Sequence, residues 1–221
     1  ASLYAGASLI LRTQFDPSEA FEALATGGLT TLQGPSAMYT RLLDYWENLH
    51  GTIKKPVFPN LRYVYMGASA LDYSIKLRVE KFFGMPLNHG YGLSEYAGAI
   101  SVTKNHVWRT DTSSGYLVEG GEVKIVDLDG KELPPGERGE LWIRGIGLMP
   151  GYFRDPQATQ VVMRPDGWLA TGDIAYFDQE RALFVVGRLK EMIIRSGFNV
   201  YPAEVEAILN SFPGISQSAV V

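Results

Sequence analysis

The pattern of apolar residues changes near residue 104, and this change constrains the fold more than any other feature of the chain. Before it, an apolar, β-rich stretch at 61–66 is followed by a helical pattern at 72–83 and then by an extended stretch at 85–88. Such β-α-β alternation predicts a parallel sheet with helices packed on its faces. The loops of such a sheet are where a ligand is expected to bind.

After residue 104 the chain is divided into short strands. Strand patterns at 122–127 and 140–144 flank an Asp-Gly turn, and two more follow at 174–177 and 182–186. Asp-Gly and Pro-Pro-Gly punctuation favours antiparallel hairpins over crossover connections. We therefore predict a small β-barrel or a twisted antiparallel sheet in this part of the chain.

The predicted fold class is α/β, in three consecutive parts. Residues 1–103 form a parallel-sheet subdomain with helices, and residues 104–189 form the small β-barrel subdomain. Residues 190–221 are predicted to be the start of a small α+β domain. Its helix is expected to begin near Tyr201, because Pro202 suits the first turn of a helix.

Composition excludes several classes of function. The net charge is −4 and the basic residues form no stripe, so we expect no nucleic acid partner. The chain has no cysteine, which excludes disulfides and thiolate metal sites and is typical of a reducing compartment, so we expect a cytoplasmic location. No apolar run reaches the roughly 18 residues that span a bilayer, and no signal peptide is visible, so no transmembrane segment is expected.

Two charged residues in the final third are suited to holding a ribose. Asp173 follows Thr171-Gly172, and a carboxylate after a glycine near a strand start can accept hydrogen bonds from both ribose hydroxyls. About fifteen residues later, Arg188 offers a planar, permanently charged guanidinium for ribose oxygens or phosphate. Alone, Asp173 could cap a turn and Arg188 could be a surface arginine. Together they suggest a nucleotide.

A second segment, from Tyr91 to Glu95, supplies further parts of such a site. Tyr91 offers a ring for base stacking, Gly92 a flexible turn, and Ser94 a hydroxyl for phosphate. Mg²⁺ is usually held by one or two carboxylates together with substrate phosphates, so Glu95 is the metal candidate. The alternative for Tyr91 is an aromatic residue of the core at a strand end.

Several motifs together resemble the adenylate-forming superfamily of acyl- and aryl-CoA synthetases, beetle luciferases and peptide-synthetase adenylation domains. They occur in the order of that family: Gly67-Ala68-Ser69-Ala70-Leu71, Tyr91 to Glu95, Gly139-Glu140-Leu141-Trp142-Ile143-Arg144-Gly145, Asp173, Arg188, and the stretch from Ser196 to Glu206. The first is similar to a Gly-Gly-Ala-Pro-Leu turn, although proline is absent from it. In the pattern of residues 187–190 and 197–202, the chain looks most like fatty-acid or aryl acyl-CoA synthetases.

The resemblance implies an enzyme that uses ATP, Mg²⁺ and CoA to activate a small carboxylic acid to an acyl-adenylate and transfer it to CoA. Glu95 and Ser94 would act at the phosphates. Adenosine would be bound by the residues Gly67, Ala68, Ser69, Tyr91, Gly92, Ser94, Asp173 and Arg188. The acyl group would lie near His89 and Gly90. Lys190 would be the hinge of the small domain, and Ser196, Gly197 and Phe198 would line the CoA tunnel.

The same resemblance leaves other functions open. Peptide-synthetase and luciferase-type enzymes share the scaffold. The family's phosphate loop and its catalytic lysine find no match in these 221 residues, so we expect a fragment that is inactive by itself. A nucleotide-binding fragment or homologue without turnover is the alternative from another functional class.

Overall fold

A computed structural model of the chain describes residues 4–51, 56–68, 71–196, 198–210, 212, 214–215 and 218–221. A mixed sheet occupies the first half. Its strands lie side by side in chain order: β1 (Thr31–Gly34), β2 (Tyr63–Met66), β3 (Leu87–Leu93), β4 (Gly98–Val102) and β5 (Tyr116–Leu117). The pairs β1–β2 and β2–β3 are parallel, and the pairs β3–β4 and β4–β5 are antiparallel. This sheet therefore begins as a β-α-β unit and ends as a meander.

Three helices pack against this sheet: α1 (Pro17–Thr26), α2 (Ser36–His50) and α3 (Tyr73–Phe83). Two begin at aspartates whose side chains accept backbone N–H groups of the first turn, Asp16 for α1 and Asp72 for α3. Such caps satisfy donors that have no partner within the helix. The core beneath the helices is rich in aromatic residues, and the buried Tyr39 shares its one hydroxyl hydrogen between the carbonyl oxygens of Leu32 and Tyr65, each 2.9 Å away.

A second, antiparallel sheet follows. Its strands again lie in chain order: β6 (Gly121–Val126), β7 (Gly139–Gly145), β8 (Leu169–Phe177) and β9 (Leu183–Arg188). A short helix, α4 (Pro156–Val162), lies in the connection between β7 and β8. The predicted region of antiparallel hairpins is confirmed, and of the two forms left open the described strands pair as a four-stranded sheet.

The last part consists of a hairpin and a helix. The hairpin pairs β10 (Ile193–Arg195) with β11 (Phe198–Val200), and α5 (Pro202–Asn210) follows it. Arg138, in the loop before β7, forms a 2.8 Å ion pair with Glu204 and stacks over the ring of Tyr201. These contacts attach the start of α5 to the second sheet.

The predicted α/β fold class, a parallel-containing sheet with helices followed by antiparallel sheets, is thus confirmed. The strand β8 is longer than predicted, so that Asp173 lies within it and not before it. Likewise, β3 extends through Tyr91. Within the described part of the chain, no helix combines the length and apolarity needed to cross a membrane.

Candidate functional site

Asp173 and Arg188 lie directly opposite each other on the neighbouring strands β8 and β9. Arg188 Nη1 donates to Asp173 Oδ1 over 2.6 Å. The aspartate side chain is only 8% exposed, whereas half of the arginine side chain is exposed. The hydrogen bond to Asp173, followed by its negative charge, raises the pKa of Arg188. The Asp173 carboxylate is thereby oriented by the guanidinium group on the neighbouring strand.

Tyr91 connects this pair to the first sheet. It lies on β3 and donates its hydroxyl to Asp173 Oδ2, across 82 residues of sequence. Burial, and then the charge of Asp173, raise the pKa of Tyr91, so the phenol remains a donor. Each carboxylate oxygen has two lone pairs and can accept a second hydrogen bond. The predicted ribose and base ligands Tyr91, Asp173 and Arg188 therefore form one cluster that retains capacity for further donors.

A cavity of about 760 Å³ opens at the carboxyl ends of β1, β2 and β3. Five residues predicted for the site line it: Gly67, Ala68, Gly90, Gly92 and Ser94. Ligands of α/β sheets bind at this end of the strands. The residues that line the cavity do not include Tyr91, Asp173 or Arg188, but β3 links the two, since Tyr91 lies between the lining residues Gly90 and Gly92.

Two glycines of β3 that line the cavity have no room for a side chain. A Cβ atom at Gly90 would lie 2.6 Å from the carbonyl oxygen of Ser101, and one at Gly92 would lie 2.2 Å from that of Gly98. Ala68 has a φ of 66°, a left-handed conformation that is uncommon outside glycine. Such backbone strain occurs preferentially at functional sites.

Glu95, the metal candidate, lies in a 3₁₀ turn (Ser94–Tyr96) next to the cavity. The hydroxyl of Tyr152 donates to its Oε1 over 2.7 Å, and the backbone N–H of Met149 donates to its carbonyl. Among the described residues no three histidine, aspartate or glutamate side chains are close enough to hold a metal by themselves. A single half-exposed carboxylate fits Mg²⁺ if phosphate oxygens and water complete the coordination.

His89 is committed to the frame of the first sheet. Its ring is buried, and Nδ1 lies 2.9 Å from the carbonyl oxygen of Met66 at the end of β2. Burial lowers the pKa of His89, although the contact with Met66 acts in the opposite direction. The two predicted acyl-pocket residues therefore differ, since Gly90 lines the cavity while the His89 ring is hydrogen-bonded to β2.

The residues predicted for the hinge and for CoA lie around the hairpin. Lys190 is exposed in a 3₁₀ turn (Leu189–Glu191) immediately after β9. Ser196 and Phe198 are exposed at the tip of the β10–β11 hairpin, where Ser196 has a φ of 51°. Two predicted residues, Gly197 and Ser69, lie outside the described residues.

Sequence reasoning missed several residues at the site. Gln33, on the unpredicted strand β1, and Tyr65 line the cavity, and Tyr152 contacts Glu95. Tyr65 could have been found, because it precedes Gly67 by two positions and alternate residues of a strand share one face. The ring of Tyr65 lies so close to Gly67 that a Cβ there would be 2.8 Å away.

The sequence model for the family described as AMP-binding enzyme matches residues 1–153, more than half of the chain. The chain belongs to the AMP-binding enzyme family. This confirms the resemblance to adenylate-forming enzymes, and the matched range contains Tyr91, Glu95 and the glycines of the cavity.

Relatives of this AMP-binding enzyme agree with the assignment. It is 35% identical over 216 residues to a long-chain-fatty-acid–CoA ligase of Escherichia coli O6:H1, which covers 98% of the chain and 37% of the relative. It is 36% identical over 221 residues to 4-coumarate–CoA ligase-like 6 of Arabidopsis thaliana, covering 97% of the chain and 38% of the relative. The chain thus spans just over a third of the length of these curated relatives.

Solved structures match the same fold. ATP-bound MatB from Rhodopseudomonas palustris superposes with a TM-score of 0.89 at 29% identity, covering 100% of this chain and 42% of that one. The o-succinylbenzoate CoA synthetase MenE from Bacillus subtilis, in complex with its acyl-adenylate intermediate OSB-AMP, has a TM-score of 0.84 at 26% identity and covers 99% of this chain and 43% of that one. Both matches extend over the strands β8 and β9 of the second sheet, which lie beyond the range of the family model.

Proposed function

We propose that this chain carries the adenosine-binding part of an AMP-forming acid–thiol ligase. The observation that carries the proposal is the convergence of Tyr91, Asp173 and Arg188 from two separate sheets, with Tyr91 on the strand β3 that also lines the cavity. An acid, a guanidinium and an aromatic ring match the ribose and the base of adenosine. The names of the curated relatives support CoA as the thiol.

In this proposal the ribose hydroxyls donate to Asp173, whose two oxygens are oriented by Arg188 and Tyr91. The ring of Tyr91 contacts one face of adenine, and the backbone of Gly67 and Ala68 approaches the other. Gly92 lines the cavity in which the sugar would lie, and its missing side chain allows the close approach of β4 to β3. Holding the nucleotide in one pose supplies much of the catalysis expected of such an enzyme, because it converts an encounter into a positioned attack.

At the phosphates, Ser94 contributes a hydroxyl and Glu95 would hold Mg²⁺, with Tyr152 fixing the carboxylate. The metal, when bound, neutralises phosphate charge. A carboxylate oxygen of the acid attacks the α-phosphorus of ATP, the bond to the bridging oxygen breaks, and pyrophosphate leaves. The thiolate of CoA then attacks the acyl carbonyl carbon, and AMP leaves.

The acid would occupy the cavity beside Gly90. The ring of His89 would hold β3 against β2 through its contact with the carbonyl oxygen of Met66. CoA would approach along the β10–β11 hairpin, where Ser196 and Phe198 are exposed, after a rotation about Lys190. A hinge needs backbone torsions that can change, which an exposed turn between two units provides. The boundaries of the three parts, 1–103, 104–189 and 190–221, belong to the same proposal, as does a cytoplasmic location.

Nucleotide binding is the first test. We expect Asp173→Asn to weaken AMP binding by about tenfold to a hundredfold, since hydrogen bonds to a charged group are typically worth that much. Asp129→Asn, in the exposed turn between β6 and β7, is the matched control and should bind AMP as the unaltered protein does. Equal affinities of all three proteins in calorimetry would refute the ribose role of Asp173.

Turnover is the second test. A panel of fatty, aryl and short dicarboxylic acids, with pyrophosphate release measured with and without CoA, would identify the acid and the acceptor. We expect release that depends on one class of acid and product that depends on CoA for the full-length protein. For the 221 residues alone we expect AMP binding without ATP–pyrophosphate exchange, and measurable exchange would contradict this. AMP binding with no release by any form would favour a homologue without turnover.

A further inference from the structure

The strand that carries Asp173 is bulged at this residue. Pairing between β7 and β8 runs from Trp142 opposite Ala170 to Glu140 opposite Ile174. Between these two pairs β7 contributes only Leu141, whereas β8 contributes Thr171, Gly172 and Asp173. A bulge of this kind interrupts the ladder and redirects a side chain, and bulges are frequent beside active sites.

Side chains replace the ladder hydrogen bonds that the bulge loses. The backbone N–H of Gly172 donates to Glu140 Oε1 over 3.1 Å, and that of Asp173 donates to the hydroxyl oxygen of Thr171 over 3.0 Å. The same hydroxyl donates to the carbonyl of Leu141 over 2.7 Å. Gly172 has a φ of 70°, so the bulge includes a left-handed residue. Its conformation therefore depends on these few partners.

Glu140 is itself fixed on its other oxygen. The indole N–H of Trp142 donates to Oε2 over 2.8 Å, so the carboxylate is oriented along β7 while Oε1 reaches across to β8. Trp142 is flanked by the cations of Lys124 and Arg164, 4.9 and 5.1 Å from its ring centroid. A carboxylate held in this way is a rigid acceptor for the bulge.

We propose that Glu140 is a positioning residue of the nucleotide site, which fixes the bulge at Gly172 so that Asp173 is aimed at the ribose. Glu140 does not touch the nucleotide. It acts through Gly172 on the neighbouring Asp173, whose backbone lies within the same bulge. This inference rests on the proposed function, because it assumes that Asp173 binds the ribose hydroxyls.

The test compares AMP with 2′,3′-dideoxy-AMP, which lacks both ribose hydroxyls. Calorimetry on the unaltered protein should show a preference for AMP of about tenfold to a hundredfold, from hydrogen bonds to a charged acceptor. In Glu140→Ala we expect this preference to shrink to about threefold or less, with the affinity for the dideoxy nucleotide unchanged. A merely structural role would weaken both ligands together and leave the ratio intact.

Glu122→Ala is the matched control, since Glu122 lies on β6 and pairs with Arg144 at the surface of the same sheet. It should retain the full preference. If Glu140→Ala does not fold, Glu140→Gln is the second test variant. A glutamine has one amide oxygen in place of the two carboxylate oxygens that accept from Gly172 and Trp142. Its preference for AMP should therefore lie between those expected for the unaltered protein and for Glu140→Ala.

A folded Glu140 variant with undiminished preference would overturn the positioning role while leaving the proposed function in place. Absence of any preference in the unaltered protein would instead refute the ribose role of Asp173, and the inference would fall with it.

Discussion

The two sheets contribute different kinds of residue to the candidate site. The first presents backbone and small residues, Gly67, Ala68, Gly90 and Gly92, around the cavity. The second presents the charged pair Asp173 and Arg188 on adjacent strands. Tyr91 of the first sheet donates its hydroxyl to Asp173 of that pair. The first sheet therefore shapes the cavity, and the second sheet contributes the charged groups. Substitutions in the two sheets should impair the protein in different ways.

The largest difference in stability is expected between an ion pair inside the first region and one on the surface of the second. Lys76 and Glu80 of α3 are both buried and bond at 2.8 Å, and Lys76 also donates to the carbonyl of Arg109. Glu80→Ala leaves a buried ammonium without its carboxylate, which should lower the free energy of unfolding by about 3 to 5 kcal/mol. Denaturant titration measures this.

The control for that prediction is Glu122→Ala, which breaks the exposed pair with Arg144 on the second sheet. Screening by solvent limits its effect to at most about 1 kcal/mol. A Lys76→Met/Glu80→Leu double variant should be far more stable than Glu80→Ala. If Glu80→Ala and Glu122→Ala lower the free energy of unfolding by the same amount, the buried ion pair of α3 does not stabilise the first region more than an exposed pair would.

The next prediction compares one glycine of the first sheet with one glycine of the second. At Gly92, in the first sheet, a Cβ would overlap the carbonyl of Gly98, so Gly92→Ala requires the backbone to shift and should cost about 1 to 3 kcal/mol. At Gly187, in the second sheet, the space around a Cβ is open, and Gly187→Ala should stay within about 0.5 kcal/mol. Thermal unfolding of the two variants compares them. Equal tolerance would mean that the close approach of β3 and β4 is not needed.

Helix caps extend the comparison to the helices. Asp72 caps α3, which packs into the first core, and Asp72→Ala should cost about 1 kcal/mol. Asp155 caps α4, a helix of the second region that contains no buried residue. Asp155→Ala should fray α4 locally and change global unfolding by only about a few tenths of a kcal/mol. A larger loss for Asp155 in denaturant titration would contradict this ranking.

The smallest effect concerns pH. Burial lowers the pKa of His89 in the folded protein below the unfolded value of about 6.5. Below about pH 6.5 the unfolded state therefore binds more protons than the folded state. The stability associated with neutral His89 is present above about pH 6.5, and it is lost as the pH falls from there through the lower pKa of the folded state. The decrease in melting temperature between pH 7 and pH 5 should be smaller in His89→Gln.

For this prediction the exposed His106 offers the control. His106→Asn should show the same decrease as the unaltered protein, since asparagine tolerates the left-handed backbone at this position. A His89→Gln variant with an undiminished decrease would show that acid loss of stability has another source.

Local features of the fold could be predicted from the residues themselves. Contacts between distant parts of the chain could be predicted only from the resemblance to the adenylate-forming superfamily. The helical pattern at 72–83 matches α3, because the helical period is a property of neighbouring residues. The facing of Asp173 and Arg188 follows from a hairpin between them. The contact of Tyr91 with Asp173 joins two sheets, and no periodicity in either segment specifies it.

Other residues were not predictable because their role depends on pairing register. Glu140 was recognised only as part of a motif, and its bond to Gly172 exists because β8 bulges opposite Leu141. Gln33 resembles any polar residue near a strand end until β1 is placed beside β2. A pattern of side chains predicts which face a residue occupies, but it does not specify which strand lies next to it.

The most direct test of the central claim is a crystal structure of the protein with AMP bound. We predict ribose hydroxyl oxygens at about 2.5 to 3.2 Å from the carboxylate of Asp173, with Arg188 still paired to it and adenine against the ring of Tyr91. AMP bound elsewhere, or a ribose that does not contact Asp173, would contradict the account.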